Sequence, residues 1–537
     1  MFSPTSSAAW ALVLSAPLAL ADVTPPNPLQ EQLAEPSLTC VSPALSLTTK
    51  DREWLEPFYL LRGSQSVWSE QNLPGLFAEL DALVDDGLDP RAYHLEPLRE
   101  LAAVESPSPR LSACVEVLAT TAYLRALRDL AYGRLEQSQV EPLWEPESMA
   151  MEQSQAPLLA IAQAGVSDPV QAFEQARPDF GPYRELRQRY ADLRRQALPQ
   201  WLAIPGGTLL RPGAVDGRVP LLEQRLQLHG DLSQGAPALV AEETSVYSTA
   251  LVEAVKAFQR NHLLKPDGVV GPGTLAELNR SASERMDQIR INLERLRWLS
   301  HEIEPTSVLI DVAGAEVMFL RDHAIAWQAR TQVGRPARPT PLLRSRITHL
   351  TLNPTWTIPP TILREDKLPE LRRDAAGYLA ANHMQVIDYD GNPVDPRGVD
   401  WERPGRVMIR QSAGAHSPLG KVAIRFPNPF SVYLHDTPSQ RLFDNLPRLF
   451  SSGCVRIERV TELVDQLLAE ATPTDRSRIA RQWESGRTLR ADLPRPVPIL
   501  MAYWTAQVGA DGQVQFRPDI YGHDARLLKA LDASNRI

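Results

Sequence analysis

Apolar residues recur at helical spacing through the first part of the chain. The segments Leu73 to Leu83, Leu111 to Leu135 and Pro182 to Leu202 repeat them every three or four positions, as one face of an α-helix does. The turn sequence from Asp86 to Pro90 follows the first of these segments. The pattern therefore predicts an α-helical domain over residues 46–215, in which no residue stands out as catalytic.

Residues 216–282 carry a more compact helical pattern, which predicts a small three-helix module. Its helices are predicted at Val219 to Leu228, at Tyr247 to His262 and at Leu275 to Leu278. Residues 283–305 continue with apolar positions at helical spacing, and we interpret them as a helical linker.

The pattern changes to short apolar runs separated by turns after residue 305, which is typical of β-strands. These runs are Val308–Val312, Val317–Leu320, Ile325–Trp327, Thr331–Gly334 and Ile347–Asn353. Residues 360–405 interrupt the series with a helical pattern from Glu365 to Leu379, and strand pattern resumes at Val407 to Gln411. We therefore expect a mainly β domain over residues 306–537, with an insertion at about 360–405.

The stretch around His435 and the stretch around Cys454 carry the most specific chemical pattern. Phe430 to Leu434 alternates apolar and polar residues, which predicts a half-buried strand that ends at His435. Cys454 follows Gly453, and a glycine there lets backbone N–H groups turn toward one point and hold an oxyanion. Because a thiol needs a base to become a thiolate near neutral pH, His435 is the candidate base for a nucleophilic Cys454.

A cysteine and a histidine without further context are more often core or surface residues, so the pair alone is weak support for catalysis. Arg456 has two interpretations of equal weight: it binds substrate, or it braces the loop. No metal site and no cofactor is expected, because five further histidines lack ligand spacing: His301, His323, His349, His383 and His416.

Composition is that of an ordinary soluble protein with two to four domains. The 537 residues are 43% hydrophobic and 23% charged, with a net charge of −9. The 47 prolines exceed the usual share and predict many rigid turns and linkers. Since no basic stripe with interleaved aromatic residues is present, nucleic acid is not an expected partner.

The N-terminal residues form an apolar run from Ala8 to Ala21 that is too short to span a bilayer comfortably. It ends in Ala19-Leu20-Ala21 before Asp22, which is an A-x-A cleavage pattern. We expect residues 1–21 to be a signal peptide and residues 22–45 to be flexible. No Lys or Arg precedes the run, so either the α-amino group supplies the positive end or the start lies upstream. An uncleaved anchor is the alternative.

The chain has three cysteines, Cys40, Cys114 and Cys454. An odd number in an exported protein leaves one thiol unpaired. If Cys454 is the nucleophile, Cys40 and Cys114 are able to pair in an oxidising compartment. The alternative is that both are reduced and buried.

The predicted strand, the sequence from Tyr433 to Thr437 (Tyr-Leu-His-Asp-Thr) and the sequence from Ser451 to Arg456 (Ser-Ser-Gly-Cys-Val-Arg) resemble one known signature. It is that of the YkuD-type L,D-transpeptidases, cysteine enzymes that cross-link peptidoglycan. Asn353 to Pro359 and the predicted closing hairpin at 502–522 also resemble that family. The chain departs from the family around 413–417, where Ala-Gly and Ser replace the usual Pro-Gly and Asn.

The resemblance extends beyond the catalytic stretch. Residues 216–282 resemble the three-helix peptidoglycan-binding module, and residues 46–215 resemble more loosely the N-terminal scaffold of the large periplasmic members. In those members, an insertion at the position of residues 360–405 forms a cap over the active site. The resemblance thus implies a multidomain, exported protein that is associated with the cell wall in the periplasm.

The resemblance also implies roles for individual residues, with Cys454 as nucleophile and His435 as general base and acid. The oxyanion loop is expected at Ser452 and Gly453, and the substrate-binding residues are expected to be Tyr433, Ser451 and Arg456. Asp436 is expected to orient His435 through its backbone carbonyl rather than to act as a third catalytic acid.

The implied reaction is a 3–3 cross-link between two peptidoglycan stem peptides. The thiolate attacks the third residue of a tetrapeptide donor, releases D-alanine, and passes the acyl group to an amine of a second stem. The implied partners are these stem peptides and other cell-wall synthesis proteins. A carboxypeptidase or hydrolase on the same site, and a non-catalytic wall-binding protein, are the alternative functions.

Overall fold

The computed structural model describes residues 27–41, 45–147, 155–196, 202–229, 245–509 and 511–534. The predicted signal peptide lies outside the described residues. The chain divides into two compact units. The first comprises the described residues up to Trp68 together with Pro97–Thr121, and the second comprises Ser69–Glu96 and the chain from Ala122 onward. Within the described residues, we find no helix with both the length and the apolar character needed to cross a bilayer.

The helices before residue 200 confirm the predicted helical pattern. They are α1 (Pro28–Ala34), α2 (Thr49–Leu60), α3 (Leu73–Ala82), α4 (Leu95–Ala102), α5 (Pro109–Tyr132), α6 (Gln137–Val140), α7 (Ala156–Ala164), α8 (Pro169–Ala176) and α9 (Gly181–Arg195). A short antiparallel pair, β1 (Ser37–Leu38) with β2 (Leu45–Ser46), lies between α1 and α2. The prediction of a flexible segment at 22–45 did not anticipate α1, whose first turn is capped by the Asn27 side chain.

The first unit is held together by a disulfide and by a buried polar cluster. Cys40 and Cys114 are bonded, with their Cα atoms 6.3 Å apart. The Glu116 carboxylate accepts hydrogen bonds from the backbone N–H groups of Val67 and Trp68, at 2.8 and 3.1 Å. It also accepts a hydrogen bond from the Tyr59 hydroxyl at 2.8 Å. Of the two alternatives for the spare cysteines, the structure has the disulfide.

The three-helix module consists of α10 (Val219–His229), α11 (Thr249–Asn261) and α12 (Pro272–Asn279), with a short pair β3 (Val215–Asp216) and β4 (Ser245–Val246). Gln259 is buried at its centre and donates to the Val269 carbonyl at 3.0 Å. Its amide oxygen accepts from the N–H of Gly268 at 2.9 Å. Gly268 has φ +71°, a conformation that favours glycine and explains the Asp-Gly turn that precedes α12.

Helix α13 (Ala282–Ser300) lies where the sequence predicts a helical linker. The predicted helix is present, and most of its side chains are buried, including charged ones. Arg295 is completely buried and pairs with Glu141 and Asp524 at 2.8 and 2.7 Å. Arg297 pairs with Glu294 at 2.7 Å. These buried partners, which are distant in sequence for Arg295, explain why a charged helix belongs to the interior.

The predicted β domain is built on a nine-stranded sheet, the largest in the described part of the chain. Its strands are β5 (Ser307–Asp311), β6 (Glu316–Arg321), β7 (Ala324–Gly334), β8 (Leu343–Leu352), β12 (Val422–Arg425), β13 (Leu434–His435), β14 (Leu449–Ser451), β15 (Val455–Ile457) and β16 (Leu489–Ala502). They are ordered β14-β7-β15-β13-β12-β8-β16-β5-β6, and β6 pairs again with β7, so the sheet closes on itself.

A core of valine, leucine and isoleucine side chains lies against this sheet. The sequence after Cys454 adds α16 (Val460–Leu467), α17 (Pro473–Glu484) and α18 (His523–Ser534). The predicted closing hairpin is present as β17 (Ala506–Val508) paired with β18 (Val514–Phe516).

The insertion forms a layer with its own core. It contains α14 (Pro360–Ile362), a π-helical turn at Leu363–Lys367, α15 (Leu368–Ala381) and β10 (Met384–Ile387). β10 pairs with β11 (Met408–Gln411), which pairs with β9 (Trp356–Thr357), and these last two strands flank the insertion on either side. The strand predicted at Val407 to Gln411 is present as β11, and it belongs to this small sheet. Its alternating apolar residues pack against α15 and β10 instead of the central core.

We predict that the non-reduced, denatured protein exposes one thiol, that of Cys454. The Cys40–Cys114 bond closes a loop of 74 residues, so reduction should destabilise the first unit by about 4 kcal/mol in the chain-entropy description. Urea unfolding with and without reductant measures this. A variant with both cysteines replaced by serine is the control and should no longer respond to reductant. Three titratable thiols would contradict the prediction.

We also predict that Arg295→Met destabilises the second unit by about 3–5 kcal/mol, because Glu141 and Asp524 are left buried and unpaired. Arg526→Met, at an exposed position of α18, is the matched control and should change stability by less than about 0.5 kcal/mol. Chemical unfolding followed by tryptophan fluorescence compares the two variants. Equal effects would show that the buried charge pairs contribute nothing specific.

Candidate active site

The pairing of β13 with its two neighbours decides which side chains meet at the site. β13 runs parallel to β15, with Leu434 opposite Val455 and His435 opposite Arg456. Since side chains alternate between faces, Leu434 and Val455 point into the core, where both are completely buried. His435 and Arg456 therefore share the other face.

The residues that precede each of these strands continue the same arrangement. The N–H of Val455 donates to the Tyr433 carbonyl at 3.1 Å, which extends the pairing back to Tyr433 and Cys454. The predicted strand over 430–434 is too long, because the regular strand covers only Leu434 and His435. Ser431 interrupts it with φ +57°, a left-handed conformation that does not fit a strand.

The loop that carries Cys454 is closed by Ser451. The Ser451 hydroxyl accepts a hydrogen bond from the N–H of Gly453 at 3.1 Å and donates to the carbonyl of Cys454. Gly453 has φ +112°, which a residue with a side chain rarely adopts. Ser451, predicted as substrate-binding, is thus buried and shapes the loop from within. The Cys454 N–H has no hydrogen-bond partner among the described residues.

Two residues that are not among the predicted site residues, Thr340 and Tyr521, support the loop that carries Cys454 through hydrogen bonds. The Thr340 hydroxyl donates to the carbonyl of Gly453 at 2.9 Å and accepts from the N–H of Gly334 at 2.8 Å. The Tyr521 hydroxyl accepts from the N–H of Thr340 at 3.2 Å and donates to the carbonyl of Gly334 at 2.6 Å. Their only sequence signal is the resemblance of the segments around them to the family, which assigns no side-chain role.

His435 is fixed by its own neighbour. Its Nδ1 lies 2.5 Å from the Asp436 carbonyl, and because a carbonyl only accepts, Nδ1 carries the proton. The other ring nitrogen, Nε2, is then the basic one. The expectation that Asp436 orients His435 through its carbonyl is confirmed. The Asp436 carboxylate is held separately by the N–H of Lys421 at 2.8 Å.

Burial lowers the pKa of His435 to about 3, and the positive charges of Arg456 and Arg425 act in the same direction. The imidazole is therefore neutral at neutral pH, and a neutral imidazole is the form that accepts a proton. Burial likewise raises the pKa of the half-buried Cys454 thiol above its usual value, against the opposing effects of Tyr433, Arg425 and Arg456. The resting site thus favours the uncharged thiol and the uncharged imidazole.

The thiol and the imidazole are on one face, but no hydrogen bond joins them among the described residues. The Cys454 sulfur lies 3.9 Å from the Ser431 carbonyl. Catalytic hydrogen bonds are often long in the absence of substrate and shorten when it binds. The Tyr433 ring lies 5.6 Å from that of His435, and the Arg425 guanidinium is 3.8 Å from the centre of the Tyr433 ring.

Arg456 and Ser452 are both engaged by residues that the sequence did not single out. Arg456 donates to Gln332 at 3.0 Å, and its Nε is buried with no hydrogen-bond partner among the described residues. Ser452 is exposed and accepts a hydrogen bond from Arg338 at 3.0 Å. The contact with Gln332 favours the interpretation that Arg456 braces the loop. Its Nε, which has no hydrogen-bond partner among the described residues, leaves one donor available for a further hydrogen bond.

Comparison with protein families matches three parts of this chain. The profile of the YkuD L,D-transpeptidase catalytic domain matches residues 305–481. This part of the chain thus resembles a YkuD catalytic domain. A "Scaffold domain" matches residues 53–189, and a "Putative peptidoglycan binding domain" matches residues 215–278. The predicted fold class is confirmed: a helical scaffold, a small peptidoglycan-binding domain and a mainly β YkuD domain.

One curated relative is a protein of Haemophilus influenzae named "Putative L,D-transpeptidase", which is 33% identical over 243 residues. The match covers 45% of this chain and 48% of that protein, so the chain spans about half the length of this relative.

Two solved structures are also similar. An L,D-transpeptidase from Xylanimonas cellulosilytica is 16% identical with a TM-score of 0.17, over 56% of this chain and 99% of that chain. The Ldtfm-avibactam carbamoyl enzyme is 13% identical with a TM-score of 0.19, over 37% of this chain and 49% of that chain. At these TM-scores, neither carries a structural argument.

Among the residues that the structure describes, no group of three or more His, Cys, Asp or Glu side chains is arranged to hold an ion.

The burial of His435 predicts a pH dependence of stability. In the unfolded chain the imidazole takes up a proton near pH 6.5, whereas the folded chain takes it up near pH 3. The unfolded state therefore binds more protons between these values, so stability is lost as the pH falls below about 6.5. From pH 7 to pH 5 the loss due to this group is on the order of 2 kcal/mol.

Urea unfolding of the parent protein and of His435→Gln at pH 7 and pH 5 measures this effect. The variant should lose less stability on acidification than the parent. His323→Gln, at an exposed position, is the control and should keep the parental pH dependence. Equal acid sensitivity of all three proteins would contradict the burial of His435.

Proposed function

We propose that this protein is an exported L,D-transpeptidase that forms 3–3 cross-links in peptidoglycan through an acyl-enzyme at Cys454. The observation that carries the proposal is the fixed, neutral His435 on the same sheet face as Cys454. Its Nδ1 proton is committed to the Asp436 carbonyl, which leaves Nε2 as the base. A YkuD catalytic domain around this pair supports the same chemistry.

In the proposed first half-reaction, Nε2 of His435 takes the proton of the Cys454 thiol as the sulfur attacks the carbonyl of the third stem residue. The tetrahedral intermediate collapses and expels the terminal D-alanine, whose amine takes the proton from His435. A thioester remains on Cys454. A side-chain amine of a second stem then attacks the thioester, and the thiol leaves as the peptide bond forms.

The uncharged resting pair suits this sequence. A thiol whose pKa is raised by burial is protected from oxidation and from unwanted reactions until substrate is present. The proton moves only when the attacked carbonyl develops negative charge, which is then stabilised by nearby N–H groups. Arg456 and Arg425 lie close enough to affect Cys454 and favour its thiolate.

The N–H of Cys454 is the better candidate for the oxyanion hole. It has no partner among the described residues, whereas the N–H of Gly453 already donates to Ser451. Gly453 contributes mainly through its backbone conformation, and Ser452 is the exposed residue of the loop. Tyr433 and Arg456 then form the floor of the proposed substrate groove, with Ser451 behind it.

The insertion, residues 360–405, is proposed to cap the site. A transpeptidase must protect its thioester from water until the acceptor amine arrives, and a lid is a common means of doing so. The separate core of the insertion supports a lid that moves as one body. The three-helix module is proposed to hold the enzyme on peptidoglycan in the periplasm, near other cell-wall synthesis proteins.

We predict that Cys454→Ser abolishes cross-linking and that His435→Ala lowers it by about 10²–10⁴-fold, the usual contribution of a general base. His323→Ala is the control and should retain parental activity. Mass spectrometry of muropeptides after incubation with tetrapeptide stems measures the products. Cross-linked dimer supports a transpeptidase, and tripeptide without dimer would identify an L,D-carboxypeptidase instead. Normal cross-linking by either site variant would exclude this mechanism.

A further inference from the structure

Arg338 joins the insertion to the loop that carries Cys454. Its guanidinium pairs with both oxygens of Asp366, at 2.7 and 2.8 Å, and with Glu365 at 2.6 Å. The same group donates to the Ser452 hydroxyl at 3.0 Å. Arg335 adds a weaker contact with Asp366 at 3.6 Å. One guanidinium thus binds two carboxylates of the insertion and also Ser452, which precedes the nucleophile Cys454 by two residues.

The backbone of Arg338 belongs to the body of the catalytic domain. It lies in the turn between β7 and β8, where its N–H donates to the Arg335 carbonyl at 2.8 Å. The N–H of Arg335 in turn donates to the Ser451 carbonyl at 3.1 Å, so this turn and the nucleophile loop are directly bonded. A side chain on Gly334 would collide with the backbone of Arg338 and Thr340. The position of Arg338 is therefore fixed relative to Cys454.

Its two carboxylate partners belong to a different layer. Glu365 and Asp366 lie on the π-helical turn at Leu363–Lys367, within the part of the chain that has its own core. Their side chains are 48% and 33% exposed, whereas that of Arg338 is 11% exposed. Ion pairs with solvent-exposed carboxylates contribute little stability, so another carboxylate can replace these two at small cost.

A planar guanidinium that binds two carboxylates in a fork is a carboxylate-binding site by its chemistry. In this chain, the site is filled by the insertion itself. We propose that Arg338 binds the C-terminal carboxylate of the donor peptide, and that Glu365 and Asp366 occupy this position when substrate is absent. The assignment of the peptide rests on the proposed function. The presence of a carboxylate-binding site beside Cys454 does not depend on the proposed function.

Alkylation of Cys454 tests the site without any peptide substrate. Iodoacetate and iodoacetamide both alkylate the thiol sulfur and release iodide, but only iodoacetate carries a carboxylate. The ratio of the two rates therefore reports carboxylate binding and cancels changes in thiol reactivity or general access. Cys454 is the free thiol of the chain, since Cys40 and Cys114 are bonded to each other.

The variant Glu365→Gln with Asp366→Asn should free Arg338 and raise the iodoacetate-to-iodoacetamide ratio by about fivefold or more, the rate equivalent of one modest ion pair. Adding Arg338→Gln to this variant should return the ratio to the parental value. Glu370→Gln, which removes an exposed acid of the same insertion paired with Arg373, should leave the ratio unchanged. No rise in the double variant, or a rise that persists without Arg338, overturns the proposal.

Stem peptides then test the identity of the carboxylate. Arg338→Gln should raise the KM for a tetrapeptide with a free C-terminal carboxylate and should not raise it for the C-terminal amide. Equal effects on both peptides overturn the assignment to the terminal carboxylate. If the enzyme turns over neither peptide, the proposed function fails, and the alkylation ratio still decides whether Arg338 is a carboxylate site.

Discussion

The parallel pairing of β13 with β15 is the constraint on which the candidate site depends. It places His435 opposite Arg456 while Leu434 and Val455 are buried together in the core. A shift of one residue would send His435 into the apolar core and Leu434 to the face that carries the candidate site, which the apolar core would not tolerate. Hydrophobic burial thus fixes the geometry of the polar face, and the Asp436 carbonyl adds only the last orientation of the imidazole.

The sequence predicted the two central residues of the site because their chemistry is encoded locally. His435 ends a strand, and Cys454 follows a glycine whose φ of +112° a different residue would rarely adopt. Thr340, Tyr521 and Arg338 could not be found in this way. Their contacts join segments that are far apart in the chain, and threonine, tyrosine and arginine at a turn or near the end of the chain have many ordinary uses.

The fold shows the same division between local and distant information. Helical periodicity identified α13. A helix with many charged residues is predicted to be exposed unless the partners of those charges are known. The partners of Arg295 are Glu141 and Asp524. The strand at 407–411 was recognised, yet periodicity cannot say which sheet a strand joins, and β11 pairs with β9 and β10. Around Ser431, one left-handed backbone conformation delays a strand that apolar alternation places as early as Phe430.

The positions of the three cysteines along the chain have a consequence for secretion. Cys40 and Cys114 lie in one compact unit that is complete before residue 122, and they are bonded to each other there. A chain that enters an oxidising compartment from its N-terminus presents these two thiols first. Their bond can form before Cys454 has been translocated, which leaves the nucleophile no thiol in the same chain with which to mispair. If the protein is exported as proposed, the order of synthesis thus helps to keep Cys454 reduced where oxidation is otherwise favoured.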